Sequence, residues 1–482
     1  MLSDLSWALF VTYGLYVGVA TVFLVLENRS PQSTLAWLFF MVLAPGVGPV
    51  VYLLVGRGAN AFSHRKALRR QLARTGLAKD FAQLRGAQGA AQHELSGSDI
   101  EIYRRLPRLL WTSAEAPLTM GNDLVILQNA SEKYPRLLED LRSARHHIYL
   151  EYYEWADDGL MREILGVLRD RVAAGVTVRA LYDPVGSYSM LTRGYVRALS
   201  EAGVEVHPYS PIWQMHTISY RNHRKLVIID GQIGYTGGLN LTVKHLTGPP
   251  GFSGWRDTHA RLTGDAVAML QWTFALQWFN TTGQLLTDSA LYVRGRRPGG
   301  VPIQVVNSGP DSQFSVIRQQ YIAMVSMARD HVYLQSPFCV LDESVLQVLY
   351  AAAMSGIRVW VMIAPRGGEG RLAYRAGMTY ARDLARAGVR VLLYQGAYFH
   401  CKTIAVDSVV CSIGSANMDI RSFSINYETN LVIYDRDTTR RLESAFLADI
   451  RQCQPFTAEA YMRLPAYTRL GDSLMRLFSP VL

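Results

Sequence analysis

Two stretches of the 482-residue chain place the same reactive residues at the same intervals. The first, HRKLVIIDGQIGYTGGLN, runs from His223 to Asn240, and the second, HCKTIAVDSVVCSIGSAN, from His400 to Asn417. In each, Asp follows His by 7, Gly by 14 and Asn by 17. Alternation along a strand puts His223 with Lys225, and His400 with Lys402, on one face. Asp230-Gly231 and Asp407-Ser408 fall where a hairpin turns. The returning strand brings Asn240 and Asn417 back toward the His end. Such a convergence suits a phosphodiester: Lys neutralises non-bridging oxygens, Asn donates to them, and neutral His attacks phosphorus or passes a proton. Phosphotransfer needs a nucleophile and an acid for the leaving group, which two facing copies supply. A lone His in a strand is usually a satisfied core residue. Four residue types repeated at four spacings argue otherwise.

The flanking sequence repeats as well. SARHHIYLEYYEW (143–155) matches MARDHVYLQSPF (327–338), AAGVTVRALYDPVG (173–186) matches MSGIRVWVMIAPRG (354–367), and EAGVEVHPYS (201–210) matches RAGVRVLLYQG (386–396). Each unit alternates apolar strand, helical stretch and β-branched strand, which predicts α/β layers with helices on both sides of a sheet. We expect two fused α/β domains related by a pseudo-twofold, 113–295 and 296–482, with the Gly/Arg/Pro-rich stretch 294–300 as the seam.

Residues 7–26 carry no charge, and at ~1.5 Å per residue they match a bilayer core of ~30 Å. A second uncharged run covers about 34–55, with Pro45 and Pro49 inside it. The expectation is a two-helix transmembrane hairpin over 1–56. No Lys or Arg precedes the first run, which disfavours a signal peptide. After the second come Arg57, Arg65, Lys66, Arg69, Arg70, Arg74 and Lys79, so the positive-inside rule places the rest of the chain in the cytoplasm. Residues 57–112 read as a basic, flexible linker. Gly14 and Gly18 are spaced as a helix-packing face, a weak sign of self-association.

The net charge of +10 favours an anionic partner, either nucleic acid or acidic lipid. With 49% hydrophobic and 18% charged residues, a disordered or fibrous chain is excluded. Cys339, Cys401, Cys411 and Cys453 form no C-x-x-C pair, so neither a zinc site nor a disulfide framework is indicated. Residues 461–482 mix Arg with Leu, Met and Phe. They read equally as an amphipathic helix on a membrane or as the last packed helix.

At the paired motif the sequence resembles the phospholipase D superfamily, and more narrowly the bacterial cardiolipin synthases. The narrower likeness rests on RSPQSTLAWLFF (29–40), PGVGPVVYLLVGR (45–57), WRDTHARLTG (255–264), YLQSPF (333–338), GSANMDIRSFSINYE (414–428) and LFSPVL (477–482). The resemblance implies two phospholipase D-like domains and a catalytic set of His223, Lys225, Asp230, His400, Lys402 and Asp407, with the two aspartates mainly structural. It implies that Lys225, Lys402, Asn240 and Asn417 hold the phosphate, and that Asp257 and Glu428 orient the histidines, with His223 favoured as nucleophile. Two departures stand out: Gly238 replaces the Ser at 415, and Glu369-Gly370 stands where the family often has Lys-x-Asp.

The implied reaction joins two phosphatidylglycerols into cardiolipin and glycerol through a phosphohistidine, at the bacterial inner membrane. It needs no cofactor and no metal. Its partners are phosphatidylglycerol and other anionic phospholipids, not nucleic acid. The alternatives are a membrane-bound phospholipase D-type hydrolase or nuclease, or a synthase taking phosphatidylethanolamine as one lipid donor.

Overall fold

The computed structural model describes residues 2–27, 31–52, 86, 88–95, 101–210, 219–286, 299–312, 314–365 and 370–479. Most of the expected linker, the basic stretch from Arg57 to Lys79, most of the seam at 294–300, and Glu369 lie outside the described residues. The chain divides into two compact units, one formed by Met1–Phe62 with Ser210–Tyr220 and the other by Ser63–Tyr209 with Arg221–Leu482.

The first unit contains helices α1 (Leu2–Leu26), α2 (Pro31–Leu43) and α3 (Gly48–Val51). Leu24, Met41 and Tyr52 form its small core, and Tyr13 Oη donates to the carbonyl of Val42 at 2.7 Å. The apolar run expected to be one helix over 34–55 is broken. Pro45 disfavours helical geometry at Ala44, and α2 stops after 13 residues, about 20 Å of rise. Pro49 then sits in the first turn of α3, where its missing N–H costs nothing. Side chains of α1 are described at Trp7 and from Phe10 onward, and many are apolar and exposed. Among the described residues, no helix is long and apolar enough to cross a membrane.

The second unit is built on one 15-stranded sheet. The first copy supplies β1 (Leu118–Gln128), β2 (His147–Tyr152), β3 (Thr177–Tyr182), β4 (Glu205–Pro208), β5 (Lys225–Ile229), β6 (Ile233–Gly237), β7 (Trp255–Arg256) and β8 (Thr258–Gly264). The second supplies β9 (Val301–Ser308), β10 (His331–Gln335), β11 (Cys339–Val340), β12 (Arg358–Ile363), β13 (Arg390–Tyr394), β14 (Tyr398–Phe399), β15 (Thr403–Val406), β16 (Val410–Gly414), β17 (Met418–Asp419), β18 (Glu428–Ile433) and β19 (Cys453–Phe456). The order β19-β13-β12-β10-β15-β16-β18-β9-β1-β8-β6-β5-β2-β3-β4 reads alike from both sides of the antiparallel β9–β1 pair, β19 being an extra edge strand. That is a pseudo-twofold written in strand order.

Packing repeats the symmetry. Tyr149 on β2 stacks on Phe274 of the helix Asp265–Thr282, with centroids 4.6 Å apart, and Tyr333 on β10 stacks on Phe446 of the helix Arg436–Asp449 at 4.8 Å. One core layer, including Leu226, Leu262, Ile303, Ile413 and Leu431, draws on both copies. The hairpins after β5 and β15 turn through left-handed residues, Asp230 (φ 52°) with Gly231 (φ 65°) and Asp407 (φ 54°) with Ser408 (φ 53°). Two consecutive positive φ values match the twist of the flanking strands. Ser408 tolerates its strain because Glu443 accepts from both its N–H (2.8 Å) and its hydroxyl (2.5 Å).

Candidate active site

The two His-x-Lys segments approach the site along exchanged backbones. Ahead of β5, the N–H of His223 donates to the carbonyl of Tyr427 at 3.0 Å, and the N–H of Tyr427 to that of Arg221 at 2.9 Å. Ahead of β15, β14 pairs in parallel with β7, and the N–H of His400 donates to the carbonyl of Arg256 at 2.8 Å. Each histidine therefore lies beside the segment of the opposite copy that carries a buried carboxylate.

His223 Nδ1 lies 3.0 Å from both oxygens of Glu428. His400 Nδ1 lies 2.8 Å from Asp257 Oδ2. Ser415 Oγ donates to Glu428 Oε2 at 2.5 Å and accepts from the N–H of Thr429 at 3.0 Å. At the matching position Gly238 has no side chain, and a Cβ there would stand 2.0 Å from Asp257 Oδ1. The Gly/Ser difference between the copies thus has a steric cause.

Both lysines are buried and fold back on their own motif. Lys225 Nζ donates to the carbonyl of His223 at 2.6 Å. Lys402 Nζ donates to the carbonyl of His400 at 2.6 Å and lies 2.9 Å from His400 Nδ1. Asn240 Oδ1 accepts from the N–H of Glu154 at 3.2 Å, which turns its amide nitrogen the other way. The backbone N–H of Asn240 donates to His245 Nδ1, and that of Asn417 to Ser422 Oγ, each at 3.2 Å.

Burial sets the electrostatics. It pushes Lys225 down to about 7, with Lys402 adding to the effect against the pull of Glu428. Lys402 is also lowered by burial. Burial, then Lys402 and Lys225, hold His400 well below the usual imidazole range. Burial lowers His223 too, with Glu428 opposing it. Glu428 itself is held below the ordinary carboxylate range, because His223 and Lys225 outweigh the burial that would raise it. Burial raises Asp257. A cluster with two cationic side chains and little water favours an anion between them.

Asp230 and Asp407, named with the catalytic set, are placed elsewhere. They occupy the hairpin turns at the far ends of β5 and β15. Asp230 accepts from the N–H groups of Arg145, His146 and His147 at 2.8–2.9 Å. Asp407 accepts from those of Arg329, Asp330 and His331 at 2.7–2.9 Å. Carboxylates so engaged tie the hairpins to the starts of β2 and β10 and do not reach the histidines.

Several neighbours were not found in the sequence. The ring of Tyr153 meets His223 edge-on at 4.9 Å, and Trp255 lies 4.1 Å from His245 and 5.0 Å from His400. Behind the first motif, Asn222 Nδ2 donates to Glu151 at 2.7 Å, and Arg224 approaches the same carboxylate at 3.8 Å. Burial pushes Glu151 up to about 7. A cavity of about 100 Å³ opens on that side, lined by Arg224, Gln277, Trp272 and Tyr427, and so lies behind the histidines rather than between them. Among the described residues, no group of three His, Cys, Asp or Glu side chains is placed to hold a metal ion.

The family described as "Cardiolipin synthase, PLD-like domain" matches residues 137–248 and 321–450, and the one described as "Phospholipase_D-nuclease N-terminal" matches 14–57. The chain is 36% identical to a cardiolipin synthase of Oceanobacillus iheyensis over 99% of both chains. It is 33% identical to one of Listeria monocytogenes, again over 99% of both. Its fold matches the crystal structure of a phosphatidylserine synthase of Haemophilus influenzae with a TM-score of 0.60, at 13% identity, over 78% of this chain and all of that one. With two repeats, each carrying one His-x-Lys motif, and relatives aligned from end to end, the chain belongs to the cardiolipin synthase family of phospholipase D-like proteins.

Proposed function

We propose that the chain is a phosphatidyltransferase that joins two phosphatidylglycerols into cardiolipin and releases glycerol. The observation that carries this reading is the pair of histidines, each bound at Nδ1 by a carboxylate of the opposite copy, with two buried lysines close enough for each histidine to feel both charges. An ionised Glu428 only accepts, so the Nδ1 of His223 carries the proton and its Nε2 presents a lone pair. His400 Nδ1 is shared between Asp257 and Lys402, a less one-sided setting. We therefore assign His223 as nucleophile and His400 as acid.

In the first step His400 enters as the imidazolium, protonated once the charge of the bound phosphate offsets Lys402 and Lys225. His223 Nε2 attacks phosphorus, the bond to the glycerol oxygen breaks, and His400 gives that oxygen its proton. In the second, His400 takes the proton from the primary hydroxyl of the next phosphatidylglycerol. That oxygen attacks the phosphohistidine and frees His223. Lys225, Lys402, Asn240 and Asn417 hold the non-bridging oxygens throughout, with their charge and dipoles fixed before the reaction. Glu428 and Asp257 keep the rings oriented.

The domain scheme of 1–56, 57–112, 113–295 and 296–482 belongs to the same proposal, with one correction: residues 101–112 are not flexible linker, because the helix Glu101–Ala114 buries Leu106 and Leu110 in the core with Val306 and Ile317. Seating of α1 and α2 in the inner membrane with the catalytic unit on the cytoplasmic side belongs to the proposal as well. The exposed apolar side chains of α1, among them Phe10, Leu15, Val19 and Leu26, and the basic stretch after Gly56 support it. The test is to incubate the reconstituted chain with phosphatidylglycerol alone and separate the products. Cardiolipin and glycerol in equal amounts are expected. Phosphatidic acid without cardiolipin would make the enzyme a hydrolase.

A further inference from the structure

The last helix, Ala466–Arg476, is inside out. Its charged face is turned to the protein. Asp472 is buried, where it accepts from Arg375 Nε at 2.9 Å and Tyr461 Oη at 3.3 Å. Arg476 reaches Asp383 at 2.6 Å and lies over the ring of Tyr380, 4.2 Å from its centroid. Gly471 makes this close approach possible, since a Cβ there would meet Arg375 Nη2 at 2.0 Å.

The opposite face is apolar and open. Tyr467, Leu470, Leu474 and Leu477 follow one another at helical spacing and are 77%, 62%, 47% and 74% exposed. Phe478, Leu464, Met462 and Leu372, the last on the adjoining helix Arg371–Arg386, are exposed as well. An amphipathic helix packed on a globular body normally buries this stripe. A contiguous exposed patch marks a surface that meets something apolar.

Charge decides what that is. Between residues 466 and 478 the one carboxylate is Asp472, and it is turned inward. Arg371 and Arg463 are exposed nearby, and Arg469 is partly so. An apolar stripe edged with arginine fits a bilayer surface carrying anionic headgroups. A second copy fits it poorly, because two arginine rims would meet.

The patch also leads to the site. The Arg371–Arg386 helix starts beside Phe338, where a Cβ on Gly370 would stand 3.0 Å from the ring. Two residues before Phe338, Ser336 Oγ accepts from the N–H of Met418 at 2.9 Å, next to Asn417. Thr468 and Asp472 pack near Arg375, and Arg476 near Asp383, so the two helices run parallel and Tyr467 and Leu470 lie toward the Leu372 end.

We propose that the helix Ala466–Arg476 docks the catalytic unit on an anionic lipid surface through Tyr467, Leu470, Leu474 and Leu477, independently of the N-terminal helices. The inference stands whichever lipid reaction the site performs.

The experiment uses the full chain with Leu470→Cys or Leu474→Cys carrying an environment-sensitive fluorophore, and Arg440→Cys as a remote control. In vesicles of phosphatidylcholine with phosphatidylglycerol, labels at 470 and 474 should be quenched by brominated lipid and shielded from iodide, while the label at 440 stays open. A triple Leu470→Gln, Leu474→Gln, Leu477→Gln variant should lose about tenfold in activity on vesicles and keep it in detergent mixed micelles. Iodide reaching position 470 equally with and without vesicles would overturn the proposal. So would shielding without bromolipid quenching. If that shielding grows with protein density, the face belongs to a second copy; if it persists in dilute detergent, another part of the chain covers it.

Discussion

His223 and Glu428 belong to different copies of the repeat, yet both carboxylate oxygens of Glu428 stand 3.0 Å from His223 Nδ1. Asp257 and His400 make the reciprocal exchange at 2.8 Å. Neither copy is complete alone, because each orients the imidazole of the other. This ties catalysis to the exchanged backbone pairings outside the large sheet, β7 with β14 and Asn222 with Tyr427.

The exchange predicts the effect of Glu428→Gln. The amide keeps the volume and one acceptor but removes the charge that stabilises the imidazolium and fixes the tautomer. Turnover should fall about a thousandfold while the fold persists. Steady-state rates with a thermal melt check this. A loss under tenfold at unchanged melting temperature would remove Glu428 from the mechanism.

Lys225 sets a pH limb. It is cationic below about 7 and neutral above it in the free protein. The attraction for a lipid phosphate is therefore present on the acid side and lost as pH rises, so kcat/KM should decline above neutrality. Stability should move the other way. The unfolded lysine stays protonated to about 10.4, so between these values the unfolded chain binds the extra proton and this group's contribution to stability rises with pH. Lys225→Arg, which does not deprotonate, should abolish the alkaline limb at reduced turnover. A limb unmoved in that variant would assign it to another group.

Asp230 and Asp407 should behave as structural residues. Each accepts three backbone N–H groups. Asp407→Asn turns an amide N–H₂ toward one of these donors, the exposed N–H of Arg329, and removes the charge the other two share, at a cost of about 1 kcal/mol. The melting temperature should drop clearly, while turnover per folded molecule in the cold changes by less than about threefold. A large loss of turnover with an unchanged melt would return Asp407 to the chemistry.

The contrast between these residues shows what was legible beforehand. His223, Lys225, His400 and Lys402 announced themselves because alternation along one strand is a local rule, and the spacing survived duplication. The α/β alternation and the mirrored strand order followed from the same repeat. Asp257 and Glu428 were named through the family resemblance, but which histidine each serves was not legible, since β7 and β14 pair across residues far apart in the chain and no local period encodes that. Hydropathy read 34–55 as a single helix because it sums apolarity and is blind to the backbone restriction Pro45 places on Ala44. Arg224, between His223 and Lys225, drew no reading from the sequence, and the strand turns it to the back of the sheet toward Glu151.

The difference between Gly238 and Ser415 supplies the sharpest test of the exchange. Asp257 is one methylene shorter than Glu428, so its carboxylate sits closer to the neighbouring strand, in the space where Ser415 carries its side chain. Gly238→Ser places a Cβ against Asp257, 2.0 Å from Oδ1 in the present geometry. The carboxylate must move, and His400 loses its orienting partner while His223 keeps Glu428. Turnover should fall about a hundredfold with little change in the binding of lipid. Converting the first copy fully to the pattern of the second, with Gly238→Ser and Asp257→Glu together, lengthens the carboxylate past the new hydroxyl and should recover a large part of the loss. Rates for the single and the double variant, measured at equal folded fraction, decide it. A double variant no faster than Gly238→Ser alone would show that the copies differ for a reason other than the reach of the carboxylate.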